Sequence, residues 1–300
     1  MLMTNQQMDF FLKKIVDKKN IMLTITEKCN IKCAHCNKSS SPENSGEVMS
    51  KKTINYIFNQ INNEWTVDIF GGEPMLYPDT AIYIAKKCHE KNIMFELLTN
   101  GFWGSDRKLI KLVKEKIKPT VINFSLDSFH NIDYKILINL VEEFKDNKDI
   151  IITFTTVIGH LHPKSDEFKK YNITNIYDPL INTGRSEKYC KYSIIRGPKI
   201  IWCGVLGFDV RVDNSLYFQC ANKNGCKISN NILKENINKI YNKYVFNIPK
   251  FKISRNQIIP NIYSICEQSK LYYKWNDPTY VEKLSDEKYE KLKKNWIMDS

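Results

Sequence analysis

Six apolar runs of strand length, spaced so that helices fit between them, are the feature of this 300-residue chain that most restricts its fold. The runs are IMLTIT from residue 21, TVDIF from 66, IMFELLT from 93, TVINFSL from 120, IIITFTTV from 150 and NITNIYDPL from 172. Their β-branched content and bounded length mark strands. The clearest helices in the gaps are SKKTINYIFNQINNE, with Ser50 as N-cap, then PDTAIYIAKKCHEKN, SDRKLIKLVKEKI and NIDYKILINLVEEFKDN. HPKSDEFKKY is the shortest helix candidate.

Repeated strand-helix units predict an α/β fold with a parallel sheet, either an open doubly wound one or part of a (β/α) barrel, and six units fall short of a full eight-stranded barrel. In both arrangements the chemistry belongs at the carboxyl ends of the strands. The unusual segments stand there: CNIKCAHC after the first run, GGEP after the second, TNGFWG after the third and LDSFH after the fourth. Past about residue 180 the pattern stops, and GFDVRV followed by LYFQC across Asp213, Asn214 and Ser215 predicts a hairpin. A charged helical tail, SDEKYEKLKKNWIMDS, closes the chain.

No run approaches the length of a membrane span, and the first twenty residues lack the apolar core and cleavage site of a secretory signal. A cytoplasmic, reducing setting is therefore expected, in which the nine cysteines point to metal or redox chemistry rather than disulfides. The net charge of +12 is spread along the chain without a basic block, so neither nucleic acid nor membrane is an expected partner, although such a surface would attract an acidic peptide.

Cys29, Cys33 and Cys36 place three thiols within eight residues. No second C-x-x-C unit or His pair follows, as a local zinc site would require. A 4Fe-4S cluster held by three cysteines leaves one iron open to a small molecule that binds through an amine and a carboxylate.

CNIKCAHC resembles the C-x3-C-x2-C signature of the radical S-adenosylmethionine (SAM) superfamily and stands after the first strand, as it does there. The resemblance implies a partial (β/α)6 barrel in which SAM binds the open iron and yields a 5'-deoxyadenosyl radical that takes a hydrogen atom from substrate. GGEP resembles the loop that holds the SAM methionyl amine, with Gly71 and Gly72 admitting close backbone approach, Glu73 as partner of the ammonium, and Pro74 completing the turn. Asn100 in TNGFWG is a further cofactor-binding candidate. Ser125 and Asp127 in SLD match residues that hydrogen-bond the ribose, although Asp127 serves equally well as an N-cap. His35 resembles the position beside the adenine.

The C-terminal part resembles the shortened auxiliary-cluster region called twitch, related to SPASM domains. The resemblance implies a barrel over 1-180 and an auxiliary iron-sulfur region, of the 4Fe-4S type, over 181-300. Cys203, Cys220 and Cys266 match its ligands, with Cys226 or Cys190 as a fourth. Asn214 or Ser215 replaces the usual turn glycine, and Asn tolerates the positive φ required. Cys88, inside a helix, reads as a small buried hydrophobe.

CNKSSSP, TNGFWG and YSICEQS most resemble radical SAM epimerases of ribosomally made peptides. Those carry a second cysteine where this chain has Ala221, so either Cys226 donates the quenching hydrogen atom or the reaction is an oxidation, a dehydrogenation or a crosslink. The alternative is a dehydrogenase of a small alcohol such as an amino sugar, supported by the compact twitch region and by NTGRS, which resembles an N-x-G-R-A segment of auxiliary-cluster enzymes. Arg185 there would bind a substrate carboxylate or cap a helix end. A low-potential donor such as flavodoxin or ferredoxin is implied, and no leader-binding domain is expected in the roughly 25 residues ahead of the cysteine loop.

Overall fold

The computed structural model describes residues 19–157, 160–171, 173–178, 184–185, 207–218, 227–244, 271–273 and 281–283. The six apolar runs form β1 (Asn20–Thr24), β2 (Thr66–Phe70), β3 (Met94–Thr99), β4 (Val121–Ser125), β5 (Ile151–Val157) and β6 (Thr174–Asp178). Each pairs in parallel with the next. Helices α1 (Lys51–Phe58), α2 (Pro78–Glu90), α3 (Arg107–Leu112) and α4 (Tyr134–Phe144) fill four of the gaps.

Local chemistry sets the helix ends. The Ser50 side chain accepts from Thr53 N at 3.1 Å and starts α1, as predicted. Asp106 and Asp133 do the same for α3 and α4. A π-helical turn, Val113–Ile117, extends α3 and ends on Lys118 at a left-handed φ of 48°. The fifth gap departs from expectation: Ser165–Tyr171 is a 3-10 helix, not an α-helix. It buries only Phe168, too small an apolar face to offset the cost of a longer helix.

Alternation along the strands separates two environments. Ile21, Leu23, Val67, Ile69, Phe95, Leu97, Ile122 and Phe124 share one core with helix residues such as Ile54, Ile84, Leu140 and Phe144. The opposite face carries buried polar residues: Asn20, Asp68, Glu96, Asn123 and Thr153 are each at most 5% exposed. Four of these residues bond across strands, Asn20 Nδ2 to Asp68 Oδ1 at 3.1 Å and Asn123 Nδ2 to Glu96 Oε1 at 2.8 Å, and Asn123 Oδ1 also accepts from Thr155 Oγ1 at 2.9 Å. The carboxylates embedded in TVDIF and IMFELLT therefore lie on the inner face, where hydrogen bonds offset their burial.

The predicted hairpin forms as β7 (Phe208–Val210) and β8 (Leu216–Phe218), with β9 (Lys227–Ser229) beside it and α5 (Ile237–Tyr244) following. Asn214 takes a φ of 66°, the left-handed turn position anticipated for it. The hairpin is continuous with the barrel sheet: β7 pairs in parallel with β1, giving the order β6-β5-β4-β3-β2-β1-β7-β8-β9. This covers the β1 edge, which would otherwise leave unpaired backbone groups. A separate antiparallel pair comprises β10 (Leu271–Tyr273) and β11 (Val281–Lys283). The closing tail lies outside the described residues.

A buried ion pair fastens the hairpin to the cysteine loop. Lys38 Nζ meets Asp209 Oδ2, and Asp209 Oδ1 also accepts from Thr24 Oγ1 at 2.6 Å. Burial alone would raise the Asp209 carboxyl, but Lys38, Thr24 and Arg211 outweigh it and hold it below the usual carboxylate range. Lys38→Met is expected to cost about 3–5 kcal/mol at neutral pH in urea denaturation, because Asp209 loses its main counter-charge in a buried site. The depressed folded pKa makes this stabilisation present above the unfolded carboxyl value and lost as pH falls through the folded one. The gap between wild type and variant should accordingly narrow in acid; a constant gap would show that lost packing, not charge, sets it.

Candidate functional site

At the carboxyl ends of β1 to β5 lies a cavity of about 180 Å³. Cys29, Cys33 and Cys36 all line it, from the loop that leaves β1. Local bonds shape that loop: Cys29 N donates to Ser41 O at 3.1 Å, Cys36 N to Cys33 O at 3.3 Å and Ser39 N to Cys36 O at 3.2 Å, with Ser39 at a φ of 56°. Two N–H groups also reach sulfur, Ser40 N to Cys36 Sγ at 3.3 Å and Asn100 Nδ2 to Cys29 Sγ at 3.8 Å.

Burial pushes the Cys29 thiol up to about 12. A bare thiolate is costly there, so ligation by this loop suits a group that brings compensating positive charge. Three cysteines on one wall, with N–H donors aimed at two of the sulfurs, fit an iron-sulfur cluster with one iron left open.

The GGEP turn packs on the backbone of the same loop. Gly72 N donates to Thr26 O at 2.8 Å and Glu73 N to Lys28 O at 3.0 Å. A Cβ on Gly72 would lie 2.1 Å from Lys28 O, so only glycine allows this approach. Gly71 and Gly72 both line the cavity. Glu73 and Pro74 are not in its wall. The Glu73 carboxylate is fully buried, accepting from Met75 N at 3.0 Å, Thr99 Oγ1 at 2.8 Å and Asn100 N at 2.8 Å. Burial lifts it to about 7 against those hydrogen bonds. Through these bonds it joins the β2 and β3 loops.

Asn100 lines the cavity and holds the cysteine loop through Asn30 Oδ1, at 2.8 Å from its Nδ2. Ser125 and Asp127 line it from the end of β4. Asp127 is 2% exposed and caps its own loop, accepting from Phe129 N at 2.9 Å and His130 N at 3.2 Å. Its other oxygen meets His130 Nδ1 at 2.9 Å. Asp127 is therefore a turn-stabilising residue in the cavity wall and not a helix N-cap, the cap of the following helix being Asp133.

Sequence reasoning missed His130. Burial works against its charge, but Asp127 and the Cys33 sulfur outweigh burial and raise it to about 10. Its spacing of three from Asp127 in LDSFH was the available signal. Donor atoms of Cys33, His35 and His130 fall within 4.8 Å of one another. His35 stacks on Phe129 at 4.5 Å, and burial lowers it to about 4. Arg185, offered as a carboxylate binder or helix cap, instead donates to two backbone carbonyls of the cysteine loop. Cys190, Cys203, Cys220, Cys226 and Cys266 lie outside the described residues.

Residues 23–169 match the family model described as the Radical SAM superfamily. The chain carries a radical SAM domain. That assignment implies a 4Fe-4S cluster and SAM, and the cysteine loop is the place in this domain that fits the cluster. Over 112 residues the chain is 36% identical to the antilisterial bacteriocin subtilosin biosynthesis protein AlbA of Bacillus subtilis, covering 36% of this chain and 24% of AlbA. Over 123 residues it is 33% identical to a probable GTP 3',8-cyclase of Methanococcus maripaludis, covering 39% of each. The chain thus spans about a quarter of the first relative and two-fifths of the second. Streptococcus suis SuiB bound to precursor peptide SuiA superposes with a TM-score of 0.59 at 14% identity, over 92% of this chain and 78% of SuiB. That likeness is one of fold, and it agrees with a partial (β/α)6 barrel. No helix among the described residues is long and apolar enough to cross a membrane.

Proposed function

We propose that this protein is a radical SAM enzyme that takes a hydrogen atom from a peptide substrate, as a maturase of ribosomally made peptides. The observation that carries the reading is the convergence of Cys29, Cys33, Cys36, Gly71, Gly72, Ser125 and Asp127 on one cavity at the carboxyl ends of the strands. Bound together, the cluster and SAM supply a 5'-deoxyadenosyl radical. The cysteine loop would hold the cluster, the glycine turn would leave backbone room beside it, and Ser125 and Asp127 offer polar atoms to a ribose. Glu73 holds the β2 and β3 loops in register, and Asn100 both braces the cysteine loop and faces the cavity as a cofactor-binding residue.

A peptide substrate is supported by the bacteriocin role in the name of AlbA, by the peptide bound to SuiB and by the net charge of +12, which suits an acidic precursor. Cys203, Cys220, Cys266 and Cys226 are proposed to hold an auxiliary iron-sulfur cluster, with Cys226 alternatively the hydrogen-atom donor. The reaction is then an epimerisation at Cα or an oxidation. A cytoplasmic site and a flavodoxin- or ferredoxin-type electron donor complete the proposal.

The test is an anaerobic reaction of reconstituted protein, SAM and reductant in deuterated water, with a short peptide encoded beside its gene. Mass spectrometry is expected to show a changed peptide. Deuterium at one Cα without loss of hydrogen means epimerisation, and loss of two hydrogens means oxidation. Under epimerisation, Cys226→Ser should abolish deuterium incorporation; full turnover with deuterium in that variant excludes Cys226 as donor. Deoxyadenosine formed with the peptide unchanged would overturn the peptide reading and favour a small-molecule substrate.

A further inference from the structure

We propose that Arg185 is a positioning residue that locks the cysteine loop into its ligating shape and places a positive charge beside the cluster, an inference that rests on the radical SAM reading above. Arg185 lies 152 residues beyond Cys33, yet its Nε donates to Cys33 O at 2.8 Å. One terminal nitrogen of the same guanidinium donates to Ser40 O at 2.5 Å, and its backbone N donates to Cys36 O at 3.0 Å. Three carbonyls of the loop, two of them from cysteines, are thus held by one residue.

The bonds are placed where they control sulfur. Ser40, whose carbonyl the guanidinium holds, is also the residue whose N–H reaches Cys36 Sγ. The rigid fork of an arginine can span two carbonyls in this way, and the single ammonium of a lysine cannot do so with the same geometry. Gly184 explains how the segment comes so close. It sits at a φ of 61°, and a Cβ there would lie 2.6 Å from both Cys36 O and Asn37 O. Gly184 and Arg185 are therefore built for backbone contact with the cysteine loop.

A cluster held by three thiolates becomes more negative on reduction. A fixed guanidinium beside it favours the reduced state, and hydrogen bonding and net charge near such clusters set their potentials. Removing the charge should lower the midpoint potential, while lysine should preserve much of the charge effect and lose much of the clamp.

Wild type, Arg185→Lys and Arg185→Gln are reconstituted anaerobically, and iron release to a chelator is followed together with the midpoint potential from the EPR signal that responds to SAM. Subtracting a Cys29/Cys33/Cys36→Ala variant counts iron at this loop alone. Release about tenfold faster in Arg185→Gln, a smaller acceleration in Arg185→Lys, and a potential lowered mainly in Arg185→Gln are expected. Thermal melting of the cluster-free proteins separates this from general instability. Wild-type release rates and potential in Arg185→Gln overturn the inference, and if that variant does not fold, wild-type behaviour of Arg185→Lys does so. A wild type that takes up no iron at the cysteine loop refutes the underlying reading and the inference with it.

Discussion

Given SAM and a low-potential reductant under anaerobic conditions, the reconstituted wild type is expected to form 5'-deoxyadenosine, and a Cys29/Cys33/Cys36→Ala variant none above background. The three thiols share one cavity wall, and Cys29 and Cys33 are each less than 9% exposed, so no nearby cysteine among the described residues can replace them. The fourth described cysteine, Cys88, is fully buried in α2 within the core. The variant should retain the circular dichroism of the wild type, because the loop is also held by backbone bonds such as Cys29 N to Ser41 O. Deoxyadenosine from the triple variant at the wild-type rate would remove the cysteine loop from the reaction. If the wild type is silent without peptide and active with it, substrate binding precedes SAM cleavage.

The second large effect is expected at Gly72. In Gly72→Ala the new Cβ would sit 2.1 Å from Lys28 O, 2.5 Å from Lys28 C and 3.0 Å from Cys29 N. All three atoms are backbone, so no side-chain rotation relieves the overlap, and either the β2 turn or the cysteine loop must move. Overpacking of this kind costs about 1–3 kcal/mol and occasionally more, and the absence of a flexible neighbour puts this site at the upper end. Urea denaturation of the cluster-free protein reads the stability loss, and iron content after reconstitution reads the displacement of Cys29. A variant with wild-type stability and full iron content would show that the loop tolerates displacement.

The parts of this protein that were legible in the sequence are those set by neighbours along the chain. Strand runs betray themselves by composition, Ser50 by the helix it caps, and Asn214 by the positive φ that a hairpin turn demands. The cysteine spacing is equally local, because one loop carries all three thiols. Glu73 shows where such reading stops. The sequence offers a carboxylate next to two glycines, but whether it faces a ligand or the protein depends on what lies beside it. Thr99 and Asn100, on a different strand, supply the donors that turn it inward.

The same reason separates the remaining cases. The sequence by itself determined six strands with helical segments in the five gaps between them, the loop ends at which chemistry collects and the three-cysteine loop after the first strand, since each depends on residues a few positions apart. Only the tertiary structure decided that the hairpin extends the sheet at β1, that Lys38 pairs with Asp209, that His130 stands between Asp127 and Cys33, and that Arg185 clasps the cysteine loop. Each of these joins groups brought together by the pairing of strands distant in sequence, or by a loop that folds back, and a buried charge or donor takes the partner that packing delivers to it.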